Sequence, residues 1–119
     1  MIESFDALIL ITKNFEEQKR FYRYIMGFEV LSDYGNAIFF KVGKNQKMGL
    51  FTQDHHPEGT KTLEGAKKGI SHMEFGISSK NVKKMEKNLK EKGFHAYRDN
   101  FKDADGNLFH FNIDGDIKF

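Results

Sequence analysis

Residues 7–28, ALILITKNFEEQKRFYRYIMGF, and residues 72–94, HMEFGISSKNVKKMEKNLKEKGF, decide the fold of this chain. Each stretch opens with a short run typical of a strand, continues with apolar residues at helical spacing, and ends in Gly-Phe. Gly27 and Gly93, the residues best able to end each helix in the left-handed conformation, are separated by 66 positions. Because the same order of elements recurs in register, the sequence predicts two copies of one unit.

The first copy has the pattern of a strand, a helix and three further strands. Asn14, with Glu17 three residues later, is typical of a helix N-terminus. Turn-forming residues separate the apolar runs that follow this helix. The predicted strands cover residues 7–11, 28–31, 37–42 and 48–52.

The second copy repeats this order. Alternation of polar or small residues with apolar ones over residues 72–77 predicts a half-buried strand, and Ser79 is the predicted cap of the next helix. A further strand is predicted at residues 94–97. Residues 103–107, DADGN, predict a turn before an alternating strand at residues 108–113.

We therefore predict an α+β fold made of two βαβββ modules within a single domain of residues 1–119. The first module is residues 1–54 and the second is residues 70–119, joined by a polar connector of residues 55–69 that holds the only Pro. A chain of 119 residues is long enough for one ordinary core, and its 13 Phe favour a packed globule over a disordered chain.

Charge and composition exclude several classes of protein. The 19 basic residues are interleaved with 17 acidic ones, so no nucleic-acid-binding face is predicted. The absence of Cys excludes disulfides and thiolate nucleophiles, which leaves chemistry to His and carboxylates. The longest apolar run, residues 7–11, is far too short to cross a bilayer, and the N-terminus lacks a signal-peptide pattern, so we expect a cytoplasmic protein without membrane contact.

Short motifs mark both copies. Residues 20–22, RFY, and 26–28, MGF, lie in the first predicted helix and at its end. Residues 69–75, GISHMEF, open the second copy, and residues 103–108, DADGNL, precede its last strand. In order and spacing over nearly the whole chain, these motifs resemble the vicinal oxygen chelate superfamily of glyoxalases, bleomycin-resistance proteins and extradiol dioxygenases. The resemblance implies an open curved sheet cup with helices outside, a ligand on the concave face, and a homodimer.

The resemblance also implies where a metal would bind. Members that use a metal place its ligands on the first and last strands of each module. The matching positions here are Ala7, Gly49, His72 and His110. Ala7 and Gly49 carry no ligand atom, so the usual set of four is incomplete in the first module.

Strand alternation nevertheless directs a polar set to one face of the second module. His72, Glu74 and Gly76 share one face, as do His110 and Asn112 on the last strand. Two imidazoles and one carboxylate suit a divalent metal such as Ni, Zn, Mn or Fe. His72 and His110 are therefore candidate metal ligands, and Glu74 is a candidate catalytic group.

The sequence leaves two principal functions open, beside a third class, an interaction or structural module without a ligand. The favoured one is a small-molecule-binding protein, similar to the bleomycin-resistance branch, that holds a planar or aromatic ligand without a full metal site and without a cofactor. The alternative is an enzyme, a divalent-metal-dependent lyase, transferase or dioxygenase using His72 and His110. The predicted ligand-binding residues offer either stacking surface or hydrogen bonds. They are Tyr34, Phe39, Phe51, His72, Glu74, Phe101, His110 and Asn112.

Overall fold

The computed structural model describes residues 1–55, 72–95 and 100–115. These residues belong to two compact units, Met1–Lys68 and Gly69–Phe119. The elements, in chain order, are β1 (Ala7–Thr12), α1 (Phe15–Arg20, continued by a π-helical turn, Phe21–Ile25), β2 (Glu29–Asp33), β3 (Ala37–Val42), β4 (Gln46–Thr52), β5 (Met73–Ile77), α2 (Ser79–Glu91), β6 (Phe101–Lys102) and β7 (Leu108–Ile113).

The first unit is built on a four-stranded sheet with the strand order β1-β4-β3-β2. β1 and β4 are parallel, and the other neighbours are antiparallel. The register of β2 shifts between Val30 and Ser32, which is a local irregularity in its pairing with β3. The order βαβββ of this unit is the predicted one.

The core of the first unit lies between α1 and one face of the sheet. Ile38, Phe40 and Leu50 on that face are completely buried. On the helix, the N–H of Met26 donates to the carbonyl oxygen of Phe21, five residues earlier, at 2.9 Å. This π-helical turn allows the consecutive residues Phe21 and Tyr22 both to be buried.

The second unit has a three-stranded sheet with the strand order β5-β7-β6. β5 and β7 are parallel, and β6 is antiparallel to β7. Its core is aromatic: Phe109 stacks on Phe101 with ring centroids 5.8 Å apart and meets Phe111 edge-on at the same distance. Val82 and Leu89 of α2 supply the apolar stripe of the helix and are buried as well.

Both helices begin close to the predicted positions, but their caps differ from the prediction. Asn14 is the N-cap residue of α1, yet its side chain makes no capping hydrogen bond. The N-cap of α2 is Ser78 and not Ser79. Asp114, which follows β7, accepts a hydrogen bond from the Ser79 N–H at 2.9 Å, and this bond lowers the pKa of its carboxyl. A residue 35 positions away therefore caps α2, which no local pattern reveals.

Two strand predictions need correction. β2 begins at Glu29 instead of residue 28, because the Phe28 N–H donates to the carbonyl oxygen of Tyr22 at the end of the helix, at 2.9 Å, and not to a neighbouring strand. Phe94 and His95 are not in a strand, and the rest of the strand predicted at residues 94–97 lies outside the described residues. The connector predicted at residues 55–69 also lies outside them, apart from His55.

The structure confirms the α+β class. β3 and β7 have the predicted bounds, and the second unit shows a strand, a helix and two further strands among its described residues. In the described part of the chain, no helix is both long enough and apolar enough to cross a membrane.

Candidate functional site

The polar face of the second sheet is created by the parallel pairing of β5 with β7. This pairing places Glu74 directly opposite His110, and Gly76 opposite Asn112. Because side chains alternate along a strand, these residues share the face opposite to Phe109, which is buried in the core. We call this surface the polar face.

The four polar side chains of this face form one connected cluster. His72 Nε2 lies 2.8 Å from Glu74 Oε2, and Asn112 Nδ2 donates to Glu74 Oε1 at 3.0 Å. His110 Nε2 lies 3.4 Å from the same Glu74 Oε1. The rings of His72 and His110 are neighbours, with centroids 4.8 Å apart. The structure thus brings together the two imidazoles and the carboxylate that strand alternation predicted on one face.

The cluster contains one buried nitrogen that lacks a hydrogen bond. His110 Nε2 is buried and has no hydrogen-bond partner among the described residues, since its approach to Glu74 is close enough for an ion pair but does not have hydrogen-bond geometry. The side chain of His110 is 13% exposed, whereas those of His72 and Glu74 are each 31% exposed. A buried polar atom without a hydrogen bond costs free energy, so the lack of a partner for this His110 nitrogen needs a structural explanation.

The same three residues form a candidate metal-binding group. One donor atom from each of His72, Glu74 and His110 lies within 4.8 Å of the others. Within residues 1–55, 72–95 and 100–115, no second group of three such donors comes together. The site's mixture of imidazole nitrogen and carboxylate oxygen suits first-row divalent metals.

Glu74 is held in its ionised form by its neighbours. The Asn112 amide, and after it the His72 imidazole, donate hydrogen bonds that lower the pKa of the Glu74 carboxyl from its ordinary value of 4.5. Glu74 is therefore a carboxylate at neutral pH, the form that accepts hydrogen bonds and binds cations.

The corresponding place in the first unit is apolar. There the parallel strands β1 and β4 place Ile9 opposite Gly49, as β5 and β7 place Glu74 opposite His110. A Cβ on Gly49 would lie 2.6 Å from Ile9 Cδ1 and 3.0 Å from Phe39 Cε1. Side chains of the unit itself thus fill the space that a ligand-bearing residue at position 49 would need.

Three of the four predicted stacking residues lie together in the first unit. Phe39 meets Phe51 edge-on at 5.6 Å and Tyr34 at 6.4 Å. His55, for which the sequence predicts no role, meets Phe51 edge-on with ring centroids 4.6 Å apart. The fourth residue, Phe101, is 1% exposed in the core of the second unit, so it does not reach the polar face.

Comparison with known proteins agrees with this architecture. The family model described as "Glyoxalase-like domain" matches residues 5–106. No curated protein matches the chain. Among solved structures, a hypothetical protein from S. aureus has a TM-score of 0.75 at 19% identity, with 95% of this chain and 94% of that chain covered.

Two further structures carry functional names. The fosfomycin resistance protein FosX from Listeria monocytogenes has a TM-score of 0.70 at 19% identity and covers 95% of this chain and 94% of its own. A lactoylglutathione lyase from Agrobacterium tumefaciens has a TM-score of 0.64 at 16% identity, with 96% of each chain covered. At these identities the likeness shows the fold. Together with the family match, it establishes that the chain belongs to the glyoxalase-like domain family of the vicinal oxygen chelate superfamily.

Proposed function

We propose that the chain binds one divalent metal ion through His72, Glu74 and His110 and uses it to bind a small molecule through its oxygen atoms. The observation that carries this proposal is the buried His110 Nε2, which lies beside the two other donors and has no hydrogen-bond partner in the part of the chain that the structure describes. A buried imidazole nitrogen without a partner is accounted for when a cation is its partner.

The spacing of the donor atoms suits such an ion. Ligand atoms about 2.1 Å from a metal, at angles between octahedral and tetrahedral, lie about 3.0–3.4 Å from each other. Glu74 Oε2 lies 2.8 Å from His72 Nε2, and Glu74 Oε1 lies 3.4 Å from His110 Nε2. All three donor atoms lie within 4.8 Å of one another, and side-chain rotations that bring the widest pair to this spacing would give a two-His, one-carboxylate site, a type that Ni, Zn, Mn or Fe can occupy.

The neighbouring residues would prepare this site. The Asn112 amide holds one oxygen of Glu74 and keeps the carboxyl ionised, so no proton has to leave it when a cation binds. Three protein ligands leave coordination positions open for the bound molecule. A metal there supplies Lewis-acid polarisation of a bound oxygen.

If the site is catalytic, we propose a lyase, transferase or dioxygenase reaction on a small molecule. The support for this class is family membership and the presence of named fosfomycin resistance and lactoylglutathione lyase proteins among the structural neighbours. Fold likeness alone does not identify the substrate.

A second candidate is metal-free binding of a planar or aromatic molecule. It is favoured by Ala7 and Gly49, which carry no ligand atom where the family resemblance places donors in the first unit, and by the aromatic group around Phe39. In this case Glu74 accepts hydrogen bonds from the ligand or serves as its general base at Oε2, the oxygen nearest His72.

We also propose, from the resemblance to the family, a cytoplasmic homodimer. Sedimentation equilibrium giving a monomer at micromolar concentration would contradict the dimer.

The experiment that separates the two candidates is metal analysis of the purified protein. The protein is stripped with EDTA, loaded separately with Ni²⁺, Zn²⁺, Mn²⁺ or Fe²⁺, dialysed, and measured by elemental analysis. The His72→Ala/His110→Ala double variant removes both imidazoles, and His95→Ala, an exposed His of the same unit, is the matched control. We expect one metal per chain in the wild type and in the control, and none in the double variant. Absence of metal from the wild type, or equal metal in the double variant, would refute the metal centre and leave metal-free binding.

A further inference from the structure

Asn112 holds Glu74 without being one of the three candidate metal ligands. Its amide Nδ2 donates to Glu74 Oε1 at 3.0 Å, whereas the second oxygen of the carboxylate, Oε2, lies 2.8 Å from His72 Nε2. His110 Nε2 lies 3.4 Å from Oε1 without hydrogen-bond geometry. Asn112 is 8% exposed, so water has little access to this amide. The two oxygens of Glu74 are therefore not equivalent, because Oε1 alone accepts a hydrogen bond from a buried amide.

The glycine opposite Asn112 explains why this amide reaches Glu74. Asn112 in β7 is paired with Gly76 in β5, and Glu74 lies two residues earlier in β5 on the same face. Gly76 has no side chain that could bond to the amide or stand between it and the carboxylate. The amide donates instead to its diagonal neighbour, so this hydrogen bond follows from the sequences of both strands.

A carboxylate binds a metal ion through one oxygen or through both. Ions that prefer oxygen ligands, such as Ca²⁺ and Mn²⁺, gain from a second carboxylate oxygen, whereas imidazole nitrogens suit Zn²⁺ and Ni²⁺. If both oxygens of Glu74 turned towards one ion, Oε1 would have to leave the Asn112 amide. Taking the acceptor away from a buried donor costs free energy, so the hydrogen bond opposes binding through both oxygens.

We infer that Asn112 is a positioning residue that restricts Glu74 to one metal-binding oxygen, Oε2, and thereby favours Zn²⁺ over Mn²⁺. This inference rests on the proposed metal centre of His72, Glu74 and His110. With one carboxylate oxygen the protein offers two nitrogens and one oxygen, a set dominated by imidazole. A Glu74 released from the amide would offer both oxygens and weaken that preference. Groups that orient a metal ligand typically change metal affinity about 10- to 100-fold when they are replaced.

The test compares the wild type with Asn112→Leu, which removes the amide at nearly constant size. Asn81→Leu, the same change at an exposed asparagine of α2, is the matched control. The dissociation constants of Zn²⁺ and Mn²⁺ are measured by titration calorimetry on EDTA-stripped protein, and melting temperatures report on folding. In Asn112→Leu we expect Zn²⁺ to bind about tenfold or more weakly while Mn²⁺ affinity stays within about twofold. The control should keep both constants of the wild type.

Infrared difference spectra recorded on Zn²⁺ binding measure how Glu74 binds the ion, and in the wild type they need no substitution. The asymmetric and symmetric stretches of a carboxylate move apart when one oxygen binds a metal, and they move together when both oxygens bind. We expect the two stretches to move apart in the wild type and to move together in Asn112→Leu.

The outcomes separate this inference from the proposed function. A wild type that binds no Zn²⁺ refutes the metal centre, and the role of Asn112 with it. Wild-type stretches that do not move apart, an unchanged ratio of Zn²⁺ to Mn²⁺ affinity in Asn112→Leu, or an equal loss of both affinities would refute the positioning role and leave the metal centre standing. If Asn112→Leu does not fold, the wild-type spectra alone decide.

Discussion

Replacing Gly49 with alanine tests why the first unit carries no donor where the second carries His110. The new Cβ would lie 2.6 Å from Ile9 Cδ1 and 3.0 Å from Phe39 Cε1, whereas carbon atoms in ordinary contact are about 3.5–4.0 Å apart. Overpacking of this kind costs about 1–3 kcal/mol. Alanine also lowers the conformational entropy of the unfolded chain, which stabilises the protein by about 0.4–1 kcal/mol. We therefore expect a net loss of about 1–2 kcal/mol in the free energy of unfolding.

Urea denaturation of five proteins measures this loss and its cause. They are the wild type, Gly49→Ala, Ile9→Ala and the double variant, with Gly76→Ala as the control because its Cβ meets no described atom within 4 Å. Ile9→Ala removes the closest clash. The double variant should therefore lose about 1 kcal/mol less free energy of unfolding than the sum of the losses in the two single variants. A neutral Gly49→Ala, or losses that add to within about 0.5 kcal/mol, would refute the packing explanation.

Three further predictions concern the second unit. Asn112→Leu should raise the pKa of Glu74 towards its ordinary 4.5, because the Asn112 amide is the largest cause of its lowering, and an NMR titration of the metal-free protein would show it. An unchanged pKa would exclude that role for the amide. Asp114→Asn should lower the melting temperature at neutral pH. The bond to Ser79 lowers the pKa of Asp114 below 3.8, so its stabilisation is complete above that pH and is lost as the pH falls through the folded-state value. The two proteins should therefore melt alike in strong acid, and a difference that persists there would contradict the linkage. Phe109→Ala should cost about 3–5 kcal/mol in urea denaturation, since this ring is completely buried, and a loss below about 1 kcal/mol would contradict its place in the core.

Local sequence patterns predict most of the elements and the polar face. Flanking turn residues placed β3 at its observed bounds, a turn followed by alternation placed β7, and the paired glycines after each helix revealed the repeat. The period of two along a strand was enough to direct Glu74 and His110 to one face. These features depend on residues close together in the sequence.

Features that depend on contacts between distant residues were not predictable. The π-helical turn after α1 follows from packing Phe21 and Tyr22 together and has no motif of its own. The cap that Asp114 provides to α2 spans 35 positions. The burial of Phe101 depends on its pairing with Phe109, which periodicity over a two-residue strand does not specify. The unpaired nitrogen of His110 likewise depends on side-chain geometry across two strands.

X-ray absorption at the zinc edge of the Zn²⁺-loaded protein tests the central claim most directly, because it identifies the ligands of the bound metal. The account predicts two imidazole nitrogens at about 2.0–2.1 Å together with oxygen donors at about 2.0–2.2 Å, and the loss of one imidazole in His110→Ala. A spectrum with oxygen donors alone, or one that His110→Ala leaves unchanged, would show that the metal does not bind at His72, Glu74 and His110.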